Sequence, residues 1–201
     1  MERRASALTA RVRERSGLGR REAVEEQRWD ELRGFQGRVC VYRKEEALKT
    51  AKEWKDLSRA VWTDGSRLEN GGVGAAVSWR SEGGWTGQGT YLGTNKDVFD
   101  AEVFAVLQAV KLLSERNEEG QDYTVLSDSQ AAVDRIQHSG CGPAQALARA
   151  AIEWSYELRQ RGNSVTVRWT PAHAGVEGNE HAATRWPEQC VSPRTIINYG
   201  T

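Results

Sequence analysis

Ala60-Val61-Trp62-Thr63-Asp64-Gly65-Ser66 is a β-type run that ends on an acid, a glycine and a serine. Branched and aromatic side chains favour a pleated, half-buried strand, and the Asp-Gly step closes it at a polar edge. Working forward, Gly72 to Trp79 reads as a second strand and Trp85 to Leu92 as a third. The links carry Asn70-Gly71-Gly72 and Ser81-Glu82-Gly83-Gly84, both hairpin turn chemistry, so these three strands are antiparallel neighbours. Asp97 or Asp100 can cap a helix to about Arg116 whose buried face uses Ala101, Ala105, Ala109 and Leu112. Tyr123 to Leu126 is a short buried strand, and Ser127 opens a helix to about Gln137. Pro143 to Arg161 is a longer helix, Gly162-Asn163 ends it, and Ser164 to Trp169 alternates as a last strand. The order β-β-β-α-β-α-α-β predicts an α/β fold: a mixed five-stranded sheet, three antiparallel strands then parallel ones, flanked by helices.

Working backward, residues 1–58 read as a basic N-terminal extension. Its first 37 residues are rich in Arg and Glu and carry no apolar stripe long enough to pack alone. Val39 to Tyr42 is a brief apolar run, and Lys44 to Leu57 is amphipathic, with Ala47, Leu48, Ala51, Trp54 and Leu57 at helical spacing. The chain is neutral overall, but residues 1–60 hold 16 Lys/Arg against 11 Asp/Glu and the other 141 residues hold 12 against 17. A passive nucleic-acid binder needs a cationic surface, whereas an acidic body makes sense if carboxylates are gathered around metal ions; an asymmetry this small is by itself better read as chance. Cys40, Cys141 and Cys190 are odd in number and far apart, which suits a reduced intracellular setting, cytoplasmic or nuclear, rather than a disulfide framework. No apolar run approaches the roughly 18–20 residues of a membrane span, and no signal peptide follows Met1, so no membrane partner is expected.

Three acids stand where strands end and helices begin. Asp64 ends the first strand, Glu102 lies in the first turn of the first long helix, and Asp128 follows the fourth strand, where it can also cap a helix. If strands one and four are neighbours, the acids converge at one edge of the sheet. Crowded carboxylates repel and hold their protons unless cations neutralise them. Hard oxygen donors favour Mg²⁺ or Mn²⁺, and two such ions about 3.5–4 Å apart activate a water and stabilise the leaving oxygen of a phosphodiester. Singly, each acid has a plainer explanation: a turn, a helix-face charge, a cap. Their joint order on these elements is what carries the chemistry.

Thr63-Asp64-Gly65-Ser66, Asp100-Ala101-Glu102-Val103 and Ser127-Asp128-Ser129-Gln130-Ala131-Ala132 resemble the three acidic motifs of ribonuclease H. The run from Trp169 through Pro171, His173, Gly175 and Gly178 to Glu180 resembles its fourth block. The wording is most similar to ribonuclease H domains joined to reverse transcriptases of non-LTR retrotransposons, which implies origin in a larger polyprotein. The resemblance implies a ribonuclease H-like fold over residues 59–184. It implies an endonuclease that hydrolyses the RNA strand of RNA/DNA hybrids with two Mg²⁺ (or Mn²⁺) ions, leaving a 3′-hydroxyl and a 5′-phosphate. Asp64, Glu102 and Asp128 would be the metal ligands, and His173, on a Gly-rich loop, would assist proton transfer or product release.

Two departures bear on activity. The family's fourth acid falls ten residues past the histidine, where this chain has Ala183, which implies a weakened second metal; the spacing of Glu177 and Glu180 does not suit a simple replacement. Arg185-Trp186-Pro187-Glu188 predicts that the closing helix is truncated, with an irregular tail over 185–201.

Candidate hybrid contacts are Gly65, Ser66, Asn95 and Gln130, with phosphate contacts from Arg67, Lys96, Arg135, Arg149 or Arg168. Trp62, Trp79 and Trp169 are expected in the core, Trp85 is not assigned to the groove that it could flank, and His138 and His181 read as surface residues. Two rivals follow. One is a hybrid- or protein-binding module that kept the fold and lost cleavage with Ala183. The other is a transposase- or integrase-type nuclease, against which the Pro-Ala-His-Ala-Gly loop and Gln130 argue.

Overall fold

The computed structural model describes residues 34–53, 59–138, 140–172 and 177–190. In chain order these form β1 (Arg38–Cys40), α1 (Lys44–Glu53), β2 (Ala60–Arg67), β3 (Val73–Ser81), β4 (Gly84–Gly93) and α2 (Val98–Glu115). There follow β5 (Asp122–Ser127), α3 (Gln130–Gln137), α4 (Gln145–Gln160), β6 (Ser164–Trp169) and α5 (Glu177–Cys190). One mixed sheet runs β1-β6-β5-β2-β3-β4. β2, β3 and β4 pair antiparallel, while β2, β5, β6 and β1 pair parallel.

The expected strands form, and the sheet gains a sixth. β1 lies in the brief apolar run of the extension, and its Val39 pairs with Val167 of β6. A three-residue run is too short to show period-two alternation, so the sequence alone did not mark it as a strand. A bare neighbouring edge supplies its hydrogen bonds. Gly37 just before it is close enough to β6 that a Cβ there would meet Val165 O at 2.2 Å. Of the amphipathic run to Leu57, Lys44–Glu53 is helical and residues 54–58 lie outside the described residues.

Strand alternation sorts the side chains onto two faces. Val61, Val77, Val125, Val165 and Val167 form the main core with Val103, Val106 and Val110 of α2, Val133 and Ile136 of α3, and Leu158 of α4. Tyr123, Leu113, Ile136 and Leu158 are fully buried, and each such side chain contributes about 1.5–3 kcal/mol relative to exposure. Ala101, Ala105 and Ala109 of α2 are buried as the pattern predicts, but the largest buried α2 side chains are Leu107 and Leu113, and Leu112 only packs against the core margin. Ala60, Trp62 and Leu126 point the other way and pack with Trp85 and Ala182 of α5.

The closing helix corrects the expected truncation: α5 runs through Pro187 to Cys190. A proline removes one intrahelical bond at a cost of about 3 kcal/mol. The helix is anchored ahead of it, where α5 packs on β2, β3 and β4 and Ala182 is fully buried. Among the described residues, no helix is long and apolar enough to cross a membrane.

Candidate active site

The register of the two central parallel strands fixes the first pair of acids. Thr63 of β2 pairs with Ser127 of β5, the last pair of that ladder, so the next residues, Asp64 and Asp128, stand side by side just beyond it. Asp64 does not end β2 as the sequence suggests, because pairing with β3 carries the strand on to Arg67. Thr63 Oγ1 donates to Leu126 O at 3.1 Å and locks that register. Thr170 N donates to Ser127 O and Trp169 Nε1 to Asp128 O, at 2.9 and 3.0 Å, so β6 holds the backbone on the other side of Asp128.

The third acid arrives by close backbone approach. Asp97 caps α2, its side chain accepting from Phe99 N at 2.9 Å. Glu102 therefore falls in the second turn, not the first as the sequence suggests. There α2 crosses β2 at Gly65, where a Cβ would lie 2.5 Å from Glu102 N and 2.8 Å from Ala101 C. The glycine is required by this crossing, and its N–H donates to the Glu102 carboxylate.

Electrostatics show that the three acids share one environment. The Glu102 carboxyl is pushed up to about 9, first by burial and then by the negative charges of Asp128 and Asp64, against a lowering from the Gly65 N–H. Glu102 Oε2 is buried with no hydrogen-bond partner among the described residues, and Asp64 is 8% exposed. No group of three His, Cys, Asp or Glu among the described residues is gathered closely enough to hold a metal ion as it stands. Asp128 Oδ2 accepts from Asn179 Nδ2 at 3.0 Å. An all-oxygen donor set, an orphaned buried oxygen and a raised carboxyl together suit a hard divalent cation.

Asp128 is free for this role because it does not cap the next helix, contrary to one sequence reading. Ser129 does, accepting from Ala132 N at 3.3 Å while its own N–H donates to Ser127 Oγ. Serine reaches the third amide from the cap position itself, whereas Asp128 lies one residue too early.

The other candidates divide. Ser66 is half-buried on β2 beside Asp64, Gln130 is exposed at the start of α3, and Asn95 is exposed in the β4–α2 link. His173 lies outside the described residues. Ala183 is on α5, where it offers no donor atom, and Glu177 and Glu180 are exposed on its first turn. Arg135 is not offered to phosphate: it donates to His138 O and Gly140 O and staples the α3–α4 link. Arg67 donates to Lys96 O at 2.8 Å, bracing the link that carries Asn95. Arg168 lies over the Tyr42 ring, and Arg149 is half-buried on α4.

Trp62 is buried, and Trp79 and Trp169 pack against the core, as expected. Trp85 packs edge-on against Trp62 and donates to Glu177 Oε1 at 2.8 Å. His181 is no plain surface residue, since its ring stacks on Trp85 with centroids 4.7 Å apart. His138 is exposed, as read. Sequence reasoning missed Asn179. It is 4% exposed and meets Asp128 across 51 residues of chain, and no local pattern records such a pairing. Gly178 beside it is the available signal, since a Cβ there would meet the Trp62 ring at 2.2 Å, and Ser78 Oγ donates to Gly178 O.

Comparison with known proteins agrees with this geometry. A family model described as RNase H matches residues 56–185. Among solved structures, LC11-RNase H1, determined in complex with an RNA/DNA hybrid, is 18% identical with a TM-score of 0.50, covering 66% of this chain and 99% of that one. RNase H1 from the halophilic archaeon Halobacterium salinarum NRC-1 is 17% identical with a TM-score of 0.46, covering 61% of this chain and 92% of that one. No curated protein matches the sequence.

Proposed function

This chain belongs to the RNase H family, and from that premise we propose that it is a metal-dependent endonuclease cutting the RNA strand of RNA/DNA hybrids. One observation carries the reading: Asp64 and Asp128 stand side by side just past the last pair of the parallel β2–β5 ladder, and both raise the half-buried carboxyl of Glu102. A surface role for three acids gives no reason for that convergence, whereas cation binding does. The likeness to LC11-RNase H1 supports the fold, and its hybrid ligand supplies the substrate class proposed here.

Asp64, Glu102 and Asp128 would hold the cations, two Mg²⁺ or Mn²⁺ ions by the family's habit. Bound there, they would supply activation of the attacking water and charge neutralisation at the leaving oxygen. The chain's own part is positional. The Gly65 N–H orients Glu102, the β2–β5 register spaces the two aspartates, and Trp169 fixes the backbone at Asp128. Gly65, Ser66, Asn95 and Gln130 would meet the minor groove of the hybrid, where 2′-hydroxyls tell RNA from DNA. His173 would assist with protons or product release. The motif wording supports, within the family, the branch joined to retrotransposon reverse transcriptases.

The test is a labelled RNA/DNA hybrid with Mg²⁺ and then Mn²⁺, beside Asp64→Asn. Cleavage lost in Asp64→Asn is the expected result; hybrid bound but uncut in either metal would overturn it. Ala183 motivates the second reading, a hybrid-binding module without cleavage, and Ala183→Asp distinguishes impairment from loss. A gain in rate marks a working but weakened site.

A further inference from the structure

Asn179 occupies an unusual position for a buried amide. It is 4% exposed, its Nδ2 donates to Asp128 Oδ2 at 3.0 Å, and its Oδ1 is buried with no partner among the described residues. A buried amide oxygen left unpaired costs about 1–3 kcal/mol, so some other state should satisfy it. Another orphaned oxygen of the site, Glu102 Oε2, belongs to the acid whose carboxyl Asp128 influences most among its charged neighbours. Both Asn179 and Glu102, which interact with this one carboxylate, therefore carry an unsatisfied acceptor.

The backbone leaves Asn179 little freedom to drift away. Gly178 sits against the Trp62 ring, and its carbonyl accepts from Ser78 Oγ at 2.9 Å. One helical turn further on, the same face of α5 carries Ala183, which has no polar atom to share. Within that constraint a half-turn of the carboxamide exchanges Nδ2 and Oδ1, which are nearly equal in size. Without a cation, Asp128 is satisfied by the N–H end. With one, the oxygen end becomes the better neighbour.

We propose that Asn179 is a ligand of the cation that Asp128 binds, its amide turning to present Oδ1 when the ion enters. This rests on the metal-dependent reading above. It makes the site one carboxylate poorer in charge than an all-acid set, and oxygen-only throughout.

The test is Mn²⁺ binding by isothermal titration calorimetry on the full chain without nucleic acid, for wild type, Asn179→Ala and Asn179→Asp. Asn179→Ala should weaken binding about 10- to 100-fold. Asn179→Asp should bind at least as tightly as wild type, because a carboxylate oxygen replaces the amide oxygen. If Asn179 were merely a hydrogen-bond donor to Asp128, Asn179→Asp would be the worse variant, with two carboxylates face to face. That order overturns the proposal, as does wild-type affinity in Asn179→Ala. The wild-type chain gives a readout that needs no variant: the side-chain amide NMR signals of Asn179 should shift on adding Mg²⁺, and unmoved signals overturn the assignment. An Asp64→Asn control separates the two layers. Wild type failing to bind Mn²⁺ sinks the metal reading and this ligand with it. Binding lost in Asp64→Asn but unchanged in Asn179→Ala sinks the ligand alone.

Discussion

At Glu102 a carboxyl group holds its proton to about pH 9, whereas the unfolded chain releases it near 4.5. The folded state therefore binds the extra proton, and stability present below about pH 4.5 is lost progressively as pH rises through 9. In metal-free buffer, thermal unfolding should show stability falling across that window, and Glu102→Gln should flatten the fall. A slope unchanged in Glu102→Gln would remove the electrostatic basis of the site. Gly65 gives a steric counterpart. Ala there forces β2 and α2 apart at a 2.5 Å contact with backbone, and overpacking of this kind costs about 1–3 kcal/mol. Gly65→Ala should lower the melting temperature and lose hybrid cleavage together, since Glu102 moves with its helix. Full activity in a stable Gly65→Ala protein would contradict the crossing described.

At the scale of elements, α5 is held at one end by a glycine against an indole. Gly178→Ala would drive a methyl into the Trp62 ring, so α5 should lift from β2 and β3. The Trp85–His181 stack would open with it, and near-UV circular dichroism should report the altered tryptophan environment. An unchanged spectrum and melting temperature would show that the contact is slack. The elements themselves were legible in sequence wherever period and punctuation agreed. Hairpin glycines bounded β2 to β4, and alanines at helical spacing marked the buried face of α2. What stayed hidden depends on partners distant in the chain. β1 exists because β6 offers an edge, and α5 outlasts Pro187 because its face is already docked. Asp64 and Asp128 could be foreseen as neighbours because the pairing of β2 with β5 follows from topology, although β2 does not end at Asp64 but continues to Arg67. Asn179 could not, because a helix-to-strand hydrogen bond leaves no mark on spacing. The tertiary partners of Arg135 and Trp85, two loop carbonyls and Glu177, are invisible locally for the same reason.

Across the whole molecule, the chain carries 28 basic and 28 acidic residues, so its pull on a polyanion comes from local arrangement rather than net charge. Hybrid affinity should consequently fall with salt by a shallow slope, corresponding to a few phosphate contacts at about 0.7–0.9 per contact on a log–log plot. A steep slope would point to an extensive cationic surface instead. The sheet adds a second expectation at this scale. With Arg38–Cys40 in place, Thr166–Arg168 at the middle of β6 are paired on both sides, by β5 and by β1. A protein cut to begin at Arg59 would expose that flank as an open template. Such a fragment should self-associate in size-exclusion chromatography where the full chain stays monodisperse. Three residues from what reads as a mere leader would then be the boundary between a closed sheet edge and a seed for intermolecular pairing.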